Sequence, residues 1–220
     1  MLPPIEEAIQ AYTRAVEKGE VRCDVEVCLR CGKRPGIFKL KDRRTRSFCF
    51  IFERSVRKLQ SFLCRWKCAL CRKTFTLYPP FALPRKRYVL EDVLNTSRRY
   101  VEKEALSYRK VVKVRGMPVF HGSEDADDLR VFSHSTPHRW LGFLATLVTT
   151  TREALRLVRQ KSPSSGVFRK IEPIAPWKYR SDDRRRVLQD ARRLLVAEAE
   201  YRVLFGVSIF PRFATVCAWE

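Results

Sequence analysis

No apolar run in this chain approaches the roughly 18 residues needed to cross a bilayer as a helix. The longest, Trp140 to Val148, spans nine residues and has a helical face. Histidine is scarce: the three residues, His121, His134 and His138, have no nucleophile in a suitable context beside them, and there is no glycine-rich phosphate loop. Acidic side chains are the larger shortage, 24 against 45 Lys and Arg, for a net charge of +21. The acids that cluster are Glu124, Asp125, Asp127 and Asp128 in one loop and Asp182 and Asp183 at a helix start. A two-metal nuclease or transposase needs carboxylates gathered from separate strands and helices, so the sequence argues against an enzyme. A secretory signal is also missing, because Met1-Leu-Pro-Pro runs at once into an acidic, polar helix. A cytoplasmic, nucleoid-associated protein with reduced cysteines is therefore expected.

What the chain does have is a pair of Cys-x-x-Cys motifs, Cys28/Cys31 and Cys68/Cys71, with 36 residues between them. Each is a tight turn, or knuckle, with two thiolates pointing the same way, and two knuckles complete the tetrahedron of a closed structural zinc site. One Zn²⁺ per chain is the expected cofactor. Cys64, four residues before Cys68, is an alternative ligand, while Cys23, Cys49 and Cys217 read as small buried hydrophobes.

The charge is concentrated around these knuckles. Residues 22–87 carry +15 (19 basic, 4 acidic), residues 1–21 carry −2, residues 88–130 are neutral and residues 131–220 carry +8. Basic and aromatic residues alternate there, with Arg65, Lys67, Arg72, Lys73, Arg85, Lys86 and Arg87 near Phe62, Trp66, Phe75, Tyr78 and Tyr88. That chemistry suits a polyanion, with phosphate contacts that give affinity but little sequence information.

In chain order, Pro3 to Lys18 reads as an amphipathic helix stopped by Gly19. Gly36 to Lys41 and Ser47 to Phe52 read as strands around a polar turn, Asp42-Arg-Arg-Thr. Leu59 to Trp66 is a further strand, and Phe75 to Tyr78 another that Pro79-Pro80 ends. Apolar residues at helical spacing predict helices over 89–103 and Leu106 to Val114, then a loop from His121 to Arg130. Thr136 as N-cap and Pro137 open a long helix reaching Val158, whose first turns offer His138 and Arg139 to solvent. That is the form of a recognition helix whose N-terminal residues enter the major groove, Arg139 reading guanine. About 21 residues separate it from the helix before, far more than the turn of a helix-turn-helix, and three helices that merely make a core would look alike. Lys161-Ser-Pro-Ser-Ser-Gly is a linker, and Ser181 caps a last helix that Gly206 ends.

The stretch Arg65-Trp-Lys-Cys-Ala-Leu-Cys-Arg-Lys-Thr-Phe-Thr-Leu-Tyr-Pro-Pro-Phe-Ala-Leu-Pro-Arg-Lys-Arg-Tyr resembles a family of short bacterial zinc-ribbon proteins that look like the DNA-binding front ends of transposases. The shared features are Cys28 and Cys31, then Arg65 with Cys68 and Cys71, then Pro79 through Tyr88. The segments Ser107-Tyr-Arg-Lys, with Arg109 and Lys110, and Ser135-Thr-Pro-His-Arg-Trp-Leu are similar to the family's two helix-turn-helix segments. The resemblance covers about residues 25–150 and implies zinc, DNA binding and an origin in mobile elements. It does not imply transposition.

The expectation is thus an α+β chain: a small β zinc ribbon followed by a helix-turn-helix-like helical domain with a C-terminal helix. The divisions are residues 1–21 (helix), 22–87 (ribbon), 88–160 (helical domain) and 161–220 (linker and final helix). The expected partner is double-stranded DNA, bound by a regulator or accessory subunit related to mobile elements, with a homodimer contact or a transposition partner protein besides. An RNA or single-strand binder, a truncated transposase and a protein-interaction ribbon are the rivals.

Overall fold

The structure is a computed structural model, and it describes residues 4–52, 55–102, 107–114, 117–118, 120–121, 130–169, 171, 173–210 and 214–216. In chain order the elements are α1 (Pro4–Glu17), β1 (Phe38–Phe52), β2 (Ser55–Cys68), β3 (Thr74–Leu77), α2 (Leu90–Glu102) and α3 (Tyr108–Val111). Four two-residue strands follow, β4 (Lys113–Val114), β5 (Met117–Pro118), β6 (Phe120–His121) and β7 (Arg130–Val131). The chain continues with α4 (Ser135–Ala145), α5 (Val148–Lys161), 3₁₀ turns at Gly166–Phe168 and Pro176–Lys178, α6 (Asp182–Phe205) and β8 (Ala214–Val216). The class is α+β. Two compact units divide it, one of residues 1–52, 56–91 and 212–220, the other of 53–55 and 92–211.

In the first unit β2 pairs with β1 and with β3, and β3 pairs with β8. Two residues separate β1 from β2, too few for a crossover, so these strands are antiparallel. The β2/β3 register sets Cys64 opposite Leu77 and Trp66 opposite Phe75, and it brings the end of β2, Cys68, beside the start of β3. Helix α1 lays Ile5, Ile9, Tyr12 and Val16 along one face, the spacing of a helical stripe. Ile9 enters a core of Phe48, Phe50, Leu63, Tyr78, Ala82 and Val89. Val16 enters a second core of Cys28, Phe38, Cys64, Trp66, Cys68, Phe75 and Leu77. One short helix thereby covers both halves of the sheet, and Gly19, at φ 75°, ends it.

The turn expected at Asp42–Thr45 is absent, and β1 runs through it as a continuous strand. A turn aspartate bonds its own backbone, but the Asp42 carboxylate accepts from Arg65 Nη1 at 3.0 Å, and Arg65 Nη2 donates to Thr74 Oγ1 at 2.9 Å. The connection from β1 to β2 falls at residues 53–54, outside the described residues.

In the second unit α4 and α5 pack against α6, whose buried Leu188, Ala191, Leu194 and Leu195 form the inner stripe. Burying each leucine is worth about 1.5–3 kcal/mol relative to exposure. Ser181 caps α6, accepting from the Arg184 amide at 3.2 Å, and Gly206, at φ 71°, closes it with its N–H on the Arg202 carbonyl. Asp182 and Asp183 sit in the first turn, where the helix dipole favours acids. Buried Glu198 accepts from Ser208 Oγ and the Ile209 amide, both at 2.8 Å, and from Arg202, which ties the chain after the helix back onto it.

Two helices differ from their sequence expectation. The long helix from Thr136 to Val158 is two, because Thr146 Oγ1 bonds the Phe143 carbonyl at 2.7 Å and the Thr146 and Leu147 amides tighten onto Phe143 and Leu144. Threonine competes for helix carbonyls in this way, and the β-branched run Val148 to Thr151 follows at once. Nor is Thr136 the cap, since α4 begins one residue earlier, with Pro137 buried in its first turn. The helix expected over Leu106 to Val114 is a single turn, Tyr108–Val111, capped by Ser107. Its β-branched continuation pairs Lys113 and Val114 with Pro118 and Met117.

Candidate metal centre and basic surface

The two knuckles are built alike. In the first, the Gly32 N–H bonds the Cys28 carbonyl at 2.9 Å and the Cys28 N–H bonds the Lys33 carbonyl at 2.9 Å. In the second, Arg72 N–H to Cys68 carbonyl and Cys68 N–H to Lys73 carbonyl repeat the pattern at 3.0 Å each. Both turns require a left-handed residue after the second cysteine, filled by Gly32 at φ 66° and by Arg72 at φ 60°. The β2/β3 turn carries one knuckle, and the chain entering β1 carries the other.

Together they bring the sulfurs of Cys28, Cys31, Cys68 and Cys71 within 4.8 Å of one another. The Cys28 and Cys71 sulfurs are 3.8 Å apart. A tetrahedron with metal–sulfur bonds of about 2.3 Å has edges of about 3.8 Å, so the donors are spaced for a four-coordinate thiolate site. Cys28 and Cys68 are buried, while Cys31 and Cys71 are half-buried.

The electrostatics of the group call for a cation. Burial opposes ionisation of Cys28, but the amides of Cys31 and Arg30 and the Cys68 and Cys31 thiols bring it down to about 7. The Arg30 amide lies 3.4 Å from the Cys28 sulfur. At Cys71 the Lys73 amide favours the thiolate, yet desolvation and the Cys68, Cys28 and Cys31 sulfurs push it up to about 11. Four thiolates in so small a space repel one another unless a metal ion neutralises them.

Cys64 is not among the four: it is buried in the core and accepts from the Tyr12 hydroxyl, with oxygen and sulfur 3.6 Å apart. Cys49 is a buried strand residue whose amide bonds the Arg87 carbonyl at 2.8 Å, and Cys23 packs against the core. Cys217 lies outside the described residues.

Of the cations expected at a nucleic acid, Lys67, Arg72 and Lys73 are exposed at the second knuckle. Arg85 and Arg87 are also exposed, on a segment held against β1 by the Cys49 backbone bonds to Arg87 and Val89 and by Arg46 on the half-buried Lys86's carbonyl. Arg65 is a correction: only 6% exposed and engaged by Asp42 and Thr74, it straps strands together and is not presented to solvent.

In the second unit Arg109 and Lys110 are exposed on α3, and His138 and Arg139 on the first turns of α4. The His138 ring meets Tyr108 edge-on at 5.5 Å, and Arg139 Nη2 donates to Ser135 Oγ at 3.2 Å. The acids Glu124, Asp125, Asp127 and Asp128 fall outside the described residues.

Sequence reasoning missed the exposed first half of β1, where Lys39, Lys41, Arg43 and Arg44 lie on one extended strand. The available signal was the absence of Gly, Pro and Asn from Phe38 to Phe52 together with the alternation of Lys39, Lys41 and Arg43. Strand residues two apart share a face at steps of about 6.7 Å.

No helix among the described residues is long and apolar enough to cross a membrane. Compared with family models, with curated proteins and with solved structures, the chain matches none.

Proposed function

We infer that this chain is a zinc-stabilised protein that binds double-stranded DNA, related to mobile elements and acting as a regulator or accessory DNA-binding subunit. The observation that carries the reading is the cluster of four cysteine sulfurs within 4.8 Å in the same unit as an exposed cationic strand. Cys28, Cys31, Cys68 and Cys71 would hold the ion, which supplies charge neutralisation and a rigid cross-link between the two knuckles. The unit then works as a zinc ribbon, with Lys39, Lys41, Arg43, Arg44, Lys67, Arg72, Lys73, Arg85 and Arg87 meeting phosphates and releasing counterions. Sequence preference comes from the other unit, used in the manner of a helix-turn-helix: α4 enters the major groove, Arg139 reads guanine, and Arg109 and Lys110 hold the backbone. The family resemblance of the second knuckle and of residues 79–88 points the same way.

The test is zinc content on the purified protein, followed by duplex binding as a function of salt. The expected result is one zinc per chain and a steep salt dependence. Changing Lys39, Lys41, Arg43 and Arg44 together to Gln should reduce the log–log slope by about 0.9 for each phosphate that is no longer neutralised. An unchanged slope in that variant would remove β1 from the interface. A protein without metal that still binds duplex would remove the ribbon from the function.

A further inference from the structure

The second unit contains an open cleft of about 770 Å³, within the range of small-ligand sites, that the duplex-binding reading does not use. Its lining comes from α2, α3, α4, the turn Pro176–Lys178 and the start of α6. Tyr100 and Tyr108 stack at 4.0 Å, nearly parallel at 9°. Lys178 and Tyr100 clasp each other, the ammonium donating to the Tyr100 carbonyl and the Tyr100 hydroxyl donating to the Lys178 carbonyl at 3.4 Å. These contacts are packing, and they explain why Lys178 is buried.

They do not explain Trp177, a residue of the cleft lining that is 57% exposed. The Lys178 ammonium lies 5.2 Å from its ring centroid, so the indole is anchored by a cation. Arg180 and Arg184 also line the cleft, and the Arg184 guanidinium sits 5.6 Å from the Tyr108 ring and donates to its hydroxyl. One carboxylate, Asp183, stands among them, and Arg186 pairs with it. A cleft that holds an exposed indole, two arginines and an imidazole is matched to a planar ring attached to an anionic group.

We propose that this cleft binds a single unpaired nucleotide, its base stacked on Trp177 and its phosphate held by Arg180 and Arg184, with His138 at the rim. Base stacking on an aromatic side chain tolerates any base, and arginine supplies bidentate contacts to phosphate. The nucleotide is either free or part of a single strand. The cleft and the metal centre belong to different units.

The experiment titrates the zinc-loaded full-length protein with adenosine 5′-monophosphate, adenosine, inorganic phosphate, a short oligothymidylate and a duplex, by calorimetry and by the indole NMR signals. Variants are Trp177→Ala, Trp177→Phe and Arg180→Gln, all at exposed positions. The expected result is a shift of the Trp177 indole signal with the monophosphate and a roughly ten-fold loss of affinity in Trp177→Ala, in line with stacking energies measured by alanine substitution. Trp177→Phe should recover most of that loss, and Arg180→Gln should weaken the monophosphate more than adenosine. The oligonucleotide binding much more tightly than the monophosphate would assign the nucleotide to a strand, and equal affinity would assign it to a free ligand. Inorganic phosphate binding as tightly as the monophosphate would overturn the proposal, as would a duplex losing as much affinity as the single strand in Trp177→Ala. No shift at millimolar monophosphate, with single-strand affinity unaltered in the variants, would also overturn it. Metal content and the duplex salt slope, read on the same samples, report separately on the zinc ribbon.

Discussion

Removing the metal should unfold the first unit and leave the second folded. Cys28 and Cys68 are 1% and 0% exposed and belong to the core that also holds Trp66, Phe75 and Leu77, so the site is part of that core and not an appendage to it. Without the ion, the thiols brought within 4.8 Å must be protonated or repel one another, and Cys71, pushed up to about 11, stays neutral near pH 7. A structural zinc contributes about 10–16 kcal/mol in small domains. The total stability of a domain is about 5–15 kcal/mol, so the loss is enough to unfold the unit. The second unit keeps an inner stripe of its own on α6 and should not respond. Tryptophan indole signals separate the two, because Trp66 is buried in the first unit and Trp140 in the second. After chelation, verified by elemental analysis, the Trp66 signal should collapse to its random-coil position while Trp140 keeps its dispersion, and Cys68→Ser should behave the same way. A chelated protein that retains both signals and one cooperative thermal transition would refute the reasoning.

Other expectations follow from single residues. Gly32 is at φ 66° with open space around it, so Gly32→Ala should cost about 1–2 kcal/mol through the backbone alone, whereas Arg72→Gly at φ 60° should stabilise the zinc-loaded unit by about 1 kcal/mol. Thermal melts of both variants compare the knuckles directly. Asp42→Ala leaves buried Arg65 without its carboxylate and should lower stability by about 2 kcal/mol in denaturant melts, with metal content retained. Partial desolvation, then Arg184 and Arg139, holds His138 below its ordinary pKa of 6.5. The unfolded chain therefore binds the extra proton first, and stability should fall as pH drops through 6.5 toward the folded pKa, an effect absent in His138→Asn. Arg184 and Tyr108 lie beside His138, Arg139 is on its own helix, and Asp183 shares the cleft with it. A phosphate in the cleft would offset the arginines, raise the His138 pKa in an NMR titration and tighten nucleotide binding at lower pH.

What was legible in the sequence was what neighbouring residues decide among themselves. The two knuckles need only their own few residues, and α6 carries a cap, first-turn acids and a left-handed glycine within its own length. Legibility fails where a distant partner overrides a local preference. Asp42-Arg-Arg-Thr has turn composition, but Arg65, 23 residues away, takes the aspartate and the chain stays extended. The same contact removes Arg65 from the exposed cations, which charge composition cannot reveal. Apolar periodicity carries straight across Thr146, so it could not mark the break that one hydroxyl makes. The cleft lies further out of reach still, since Tyr100 and Lys178 are 78 residues apart and share no local signature.

The proposed function divides the cations of the first unit into two groups by their place in the fold. Four thiolates around a divalent ion leave a formal charge of about −2, which by itself repels phosphate. Arg30, Lys33, Lys67, Arg72 and Lys73 are exposed on or beside the knuckles and offset that charge. On the proposed reading they would act on the thiolates as well as on a nucleic acid, whereas Lys39, Lys41, Arg43 and Arg44 lie along β1 and would serve the nucleic acid without serving the thiolates. Replacing Lys67, Arg72 and Lys73 with Gln should therefore weaken both zinc retention against a competing chelator and duplex affinity, and the zinc effect should fade as salt screens it. The β1 replacements should cost the same duplex affinity per charge and leave zinc retention unchanged. If both sets moved zinc retention equally, the cations would act as one diffuse field, and the division between knuckle and strand would have no functional meaning.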